Sequence, residues 1–194
     1  MNPDIKQKLV GSLDLLFLFP RGIGAFGGDR RVAIRTLVLV ELLVMPLLPI
    51  TVSMAPPLGM EGLPYQRVLL TMFAHYCVTL ALSLALNWQI AGLLNKRPRF
   101  WLAMEAGAWC KLVFCAFVMV PLLCFDIFRL APYDTMQRIY IILACYSYVF
   151  GACIAYAVYR INIFLIVGWM MAGLFIDRES WNVLYLLQGL PPLP

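Results

Sequence analysis

The sequence predicts an all-α fold: a polytopic transmembrane helical bundle of about five spans, with an N-terminal amphipathic interfacial helix. Three observations carry that prediction. Hydrophobic residues make up 63% of the chain and the mean hydropathy is +0.85, against an apolar share of roughly 45–50% in soluble domains. Apolar runs of membrane-crossing length follow one another across short loops, which leaves no room in 194 residues for a separate soluble domain. The cationic residues stand at the ends of those runs rather than in one patch, so the net charge of +5 reads as a set of topology determinants and not as a nucleic-acid surface.

In chain order, residues 1–33 form the N-terminal segment. Asn2–Pro3 is a suitable helix start. On that helix Ile5, Leu9, Leu13, Leu16 and Phe17 share one face, with Lys6, Lys8 and Ser12 elsewhere. It is expected to dock on the bundle, to lie in the headgroup layer, or to do both. Asp14 and the Pro20–Arg21 pair exclude a signal peptide. The run Arg21 to Arg31 is rich in glycine, but no strand precedes it and no G-K-[ST] follows. A flexible cationic lead-in is expected instead, with Arg21, Arg30 and Arg31 on anionic headgroups.

The five spans occupy residues 34–176. The first, about 34–54, contains Glu41 and is expected to bend at Pro46 and Pro49. A Pro- and Gly-rich loop, 55–65, closes the first hairpin. The second span, about 67–94, places Thr71, His75, Thr79, Ser83 and Asn87 at every fourth position. That spacing makes one polar ridge, read as a helix-packing seam or as a track for a proton or small solute. The loop 95–99 brings Lys96, Arg97 and Arg99 to the membrane edge as further headgroup contacts. The third span, Phe100 to Phe125, carries Glu105 and Lys111 and is expected to end around Pro121 and Asp126.

In the fourth span, about 139–159, Ser147, Gly151 and Ala155 repeat the small-xxx-small pattern of a close helix or partner contact. The fifth, about 161–176, is only just long enough to cross, so a half-inserted segment is the alternative. Residues 177–194 are read as an interfacial C-terminal tail, with Trp181, Leu184, Tyr185 and Leu187 on a short amphipathic turn. With five spans, ten of the 15 Lys and Arg residues fall on the N-terminal side and four on the other. That bias puts the N-terminus in the cytoplasm and the C-terminus outside.

Charges inside apolar spans are costly and normally face other helices or water. At 1.5 Å per residue from the expected cytoplasmic edge, Glu41 and Glu105 lie roughly 9 Å deep and Lys111 roughly 18 Å deep. Glu105 and Lys111, six residues apart, sit about 120° apart around one helix. Glu41 is therefore the expected partner of Lys111, with Glu105 partly hydrated near the edge. Glu41, His75, Glu105 and Lys111 form the candidate intramembrane polar network. The six cysteines fall inside apolar runs without a C-x-x-C pair, and the chain has a single histidine. No metal site or cofactor is expected.

The layout resembles the Yip-domain family of five-helix membrane proteins, in its short bacterial-type members. The residues that carry the resemblance are Leu18, Phe19 and Pro20 (L-x-F-P in layout) before the first span, the basic loop Asn95–Arg99 after the second, and the late Pro121 of the third. The long N-terminal region with the D-L-Y-G-P signature of eukaryotic members is absent. The resemblance thus implies a five-helix fold and a bacterial inner (cytoplasmic) membrane rather than a trafficking or GTPase-linked role, and it carries over no catalytic residues.

No Ser–His–Asp set, H-E-x-x-H motif or carboxylate metal cluster is visible in the sequence. The expected function is that of a non-enzymatic membrane scaffold or accessory subunit, with membrane lipids and other membrane subunits as partners. A small transporter or channel component using Glu41, His75, Glu105 and Lys111 is the alternative. No inverted repeat of the transporter kind is evident.

Overall fold

Residues 3–54, 60, 62–128, 130 and 133–190 are described by a computed structural model, and among them there is no strand. The helices are α1 (Pro3–Leu16), α2 (Arg30–Val44), α3 (Leu47–Met54), α4 (Tyr65–Leu93), α5 (Phe100–Phe114), α6 (Val120–Ile127), α7 (Tyr133–Tyr159) and α8 (Ile163–Leu187). Three stretches are long and apolar enough to cross a membrane: Arg30–Ile50, Tyr65–Leu93 and Arg97–Phe125. The apolar run of α7, Cys145–Tyr159, is shorter. Most of the 55–65 loop and the last four residues lie outside the described residues.

Proline shapes two of the long stretches. The first helix breaks at Met45–Pro46 into α2 and α3, because the proline ring removes a donor and crowds the preceding turn. The third passes Pro121 and ends around Asp126, as expected. It runs on through α6, and a π-helical turn, Cys115–Met119, absorbs the missing amide. There the N–H of Val120 bonds the carbonyl of Cys115, five residues back, which spares the ladder the contact that proline would break.

Three helices end on non-glycine residues with positive φ: Leu18 (63°), Asn95 (55°) and Arg160 (47°). At the first two, an amide one residue on reaches back five positions, Phe19 to the carbonyl of Asp14 and Lys96 to that of Ala91. Those bonds satisfy carbonyls that the helix end would leave bare. At the start of α2, the carboxylate of Asp29 accepts from the amides of Arg31 and Val32 at 2.8 and 3.0 Å, a side-chain N-cap.

α1 is docked by a mixed face: Leu9 and Leu16 of the expected apolar side pack into the core beside Ser12. Ser12 and Leu15 are fully buried, and the thiol of Cys110 on α5 points at the carbonyl of Ser12. The hydroxyl of Tyr146 on α7 donates to the carbonyl of Leu16. Ile5, Leu13 and Phe17, on the face expected to be apolar, stay exposed. Close approach makes this possible: a Cβ on Gly11 would stand 2.4 Å from the Cβ of Ala25, and one on Gly22 would stand 2.3 Å from the carbonyl oxygen of Gly11. The chain folds back after α1 so tightly that only glycine fits at both positions.

The remaining packing sorts into two groups. α5 lies against α2, α1 and α7, whereas α4 lies against α8 and α3 and hardly touches α5. The main core gathers around α1, α5 and α7, with Leu15, Cys110, Val113, Ala155 and Tyr159 at its centre. A smaller cluster of Met60, Val68 and Tyr185 joins α4 to the end of α8. That helix continues without a break through Asp177–Glu179, so Trp181 and Tyr185, expected on a separate interfacial turn, are part of one 25-residue helix.

Candidate functional site

Glu41 on α2 meets Lys111 on α5, with both carboxylate oxygens 2.8 Å from the ammonium. Tyr76 on α4 completes the cluster: its hydroxyl donates to Glu41 Oε2 and accepts from Lys111. The ammonium also lies 4.6 Å from the centre of the Tyr76 ring, within range of a cation–π attraction. Val40, Val44 and Ala108 pack around the group. Three helices therefore converge on one neutral polar knot, of which Glu41 is 7% exposed. Tyr76 carries no signal in the sequence that sets it apart from the other tyrosines.

Lys111 and Glu41 also line a cavity of about 310 Å³ between the two helix groups. α2, α4, α5, α7 and α8 all contribute to its wall. Ser83 and Asn87, the inner end of the α4 polar ridge, face it, as do Tyr148, Phe150 and Trp169. The expected packing face on α7 opens here too. Ser147, Gly151 and Ala155 line the cavity, and a Cβ added at Gly151 would meet nothing within 4 Å. Gly151 faces that space, whereas Ala155, one turn on, is buried in the main core.

The four residues of the expected polar network do not come together. Glu105 is 1% exposed rather than partly hydrated. It lies under α1, where Lys8 Nζ stands 3.1 Å from Oε1 and the amide of Gly28 donates to Oε2 at 2.9 Å. Lys8 also bridges to Asp4, one turn earlier, at 3.2 Å. Burial pulls the Lys8 ammonium down, but the hydrogen bonds to Glu105 and Asp4 outweigh it and hold its pKa above the ordinary lysine value.

His75 belongs to a third cluster, on the α4–α8 seam. Its Nε2 is 3.2 Å from the carboxylate of Asp177, and its Nδ1 is 3.0 Å from Ser180 Oγ. Thr79 is 3.2 Å from the same hydroxyl, and Trp181 stacks on the imidazole with ring centres 3.9 Å apart. Farther along, Gln188 donates to Thr71 at 3.1 Å. The outer part of the polar ridge is thus a packing seam, and its inner part is cavity wall. A serine, a histidine and an aspartate do stand in a chain here. Ser180 is 7% exposed and sits within helix α8 at the α4–α8 seam, where it donates to the carbonyl of Asp177 at 2.8 Å. Backbone amides inside a helix are committed to the helix, so they offer no oxyanion hole to such a serine.

The six cations expected on headgroups divide. Lys96 donates to the carbonyl of Tyr159, and Arg99 to that of Val158 at 2.8 Å. These two cap the C-terminus of α7, where bare carbonyls and the helix dipole both favour positive charge. Arg97 lies over the ring of Trp88 and Arg30 over that of Trp101, each just over 5 Å from the ring centre. Arg21 forks onto Asp14 at 3.1 and 3.3 Å. Arg21, Arg30, Arg31, Arg97 and Arg99 are exposed.

No family model matches the chain, and no curated protein or solved structure does. What the fold and the site define is an all-helical protein with three helices fit to cross a membrane.

Proposed function

We propose that the protein is a small, non-enzymatic transport component of the membrane whose working element is the cavity beside the Glu41–Lys111 pair. One observation carries the reading: the ion pair, roughly 9 to 18 Å deep by helix rise, is held among three helices and also borders open space. Ionisable groups in that position mark substrate or ion pathways. In this reading α7 and α8 are the fourth and fifth crossings, in the Yip-type layout, with a cytoplasmic N-terminus in a bacterial inner membrane. Arg30, Arg31, Lys96, Arg97 and Arg99 then share the cytoplasmic face. The exposed apolar face of α1 lies in the headgroup layer while its polar face holds Glu105.

A second reading, an accessory subunit of a larger assembly, is favoured by the strip of Gly107 and Gly151 along the cavity, against which a partner helix could lie. Reconstitution separates the two. In proteoliposomes the wild type should speed the transbilayer movement of a fluorescent lipid or of protons over empty vesicles. The double variant Glu41→Gln/Lys111→Met should fold and lose that gain. A wild type no faster than empty vesicles, together with a stoichiometric partner retained in mild detergent, would overturn transport in favour of the assembly role.

A further inference from the structure

We infer that the cavity binds an uncharged single-chain amphiphile, one with a hydroxyl or carbonyl head; this rests on the cavity being the working element. Charge comes first. An ammonium has three N–H donors, and those of Lys111 go to the two oxygens of Glu41 and to the Tyr76 hydroxyl. The proton of that hydroxyl goes to Glu41. The knot is neutral and closed on itself. An anionic head finds no unused donor there, and a cationic head would have to displace Lys111 from both carboxylate oxygens.

The open valence of the wall lies elsewhere. Tyr159 is 0% exposed and lines the cavity, yet its hydroxyl has no hydrogen-bond partner. A buried hydroxyl without a partner is costly. A neutral head placed in the cavity would remove that cost by accepting from it. The ring is fixed on both sides of that hydroxyl. Its face packs against Trp169 with ring centres 5.6 Å apart, and the backbone carbonyl of the same residue is held by Lys96. Asn87 also lines the cavity, with its amide N–H₂ engaged by the carbonyl of Ser83.

Size and lining point the same way. At about 310 Å³ the cavity sits at the small end of ligand sites, which run from about 300 to 1,000 Å³. That suits one chain rather than two. Phe100, Met104, Ala108, Phe150 and Ile154 supply the apolar wall for it.

The deciding experiment is photolabelling of the purified protein in mild detergent with a diazirine-bearing sixteen-carbon alcohol. Label should appear on peptides of α5 and α7. Unlabelled hexadecanol should compete at least tenfold better than palmitate or hexadecyltrimethylammonium. Gly151→Leu, which fills the space without meeting any atom at Cβ, should abolish labelling. Tyr159→Phe keeps the ring and should weaken it about three- to tenfold, the worth of one hydrogen bond. Palmitate or the ammonium competing as well as the alcohol, with Gly151→Leu still blocking, would overturn the ligand class and leave the cavity as the working site. Labelling that is absent, or indifferent to both substitutions, would overturn class and site together.

Discussion

Removing Lys8 should cost the protein several kilocalories per mole, and the cost should depend on pH. Lys8 is the only charge facing Glu105 among the described residues, and it reaches that carboxylate from α1, 97 positions away in sequence. Lys8→Met keeps the apolar stem and deletes the ammonium. Glu105 then retains only the amide of Gly28, at 1% exposure. Breaking a buried pair from one side costs about 3–5 kcal/mol.

Lys8 itself sets the pH dependence. The pKa of Lys8 is raised in the fold, so its contribution is complete below about 10.5 and is lost as the pH climbs beyond that. Thermal or denaturant unfolding in a fixed detergent, run from neutral pH to beyond the lysine range on wild type, Lys8→Met and Lys8→Met/Glu105→Gln, measures all of this. The double variant should regain most of the loss, because a glutamine oxygen still accepts from Gly28. A deficit that does not shrink as the pH climbs well past the lysine range, or that the second substitution does not relieve, would show that Lys8 acts through packing alone and would refute the ion-pair reasoning.

Two further outcomes are expected. Lys111→Met should destabilise by a similar 3–5 kcal/mol, since Glu41 would be left with Tyr76 alone, and adding Glu41→Gln should recover part of the loss in the same unfolding assay. Gly11→Ala should cost more than the helix propensity of alanine returns, because its Cβ would stand 2.4 Å from Ala25 and 2.7 Å from a carbonyl oxygen; protease cleavage near residues 17–26 should rise, and an unchanged digestion pattern would count against the tight fold-back.

The helical character and the pairing of Glu41 with Lys111 were legible because both rest on one-dimensional quantities. Apolar run length finds the long helices, and rise per residue sets two charges on different helices at compatible depths. The lysine stem covers the remaining offset by reaching back along the bundle. Pro46 was readable as a break for the same local reason. Pro121 was not readable as a π-turn, because a proline removes one donor in either case, and whether the helix stops or absorbs the loss is decided by what it packs against.

The rest of the site depended on which helices pair, and that is where periodicity misleads. An amphipathic pattern tells which face is apolar, but in lipid an apolar face has no need to be covered. Periodicity gathers Ile5, Leu9, Leu13, Leu16 and Phe17 on one face of α1, while the structure packs Leu9 and Leu16 beside Lys8 and Ser12 and leaves the other three exposed. A similar mixture holds α8. Its Asp177 reads as the end of a span, yet a carboxylate is the group that can hold His75 on α4, and with Ser180 and Trp181 it joins α8 to α4. A second polar contact, through Tyr76, ties the same helix to α2 and α5. Gly151 borders the cavity, and no small-xxx-small spacing could distinguish a glycine that admits a helix from one that borders a space.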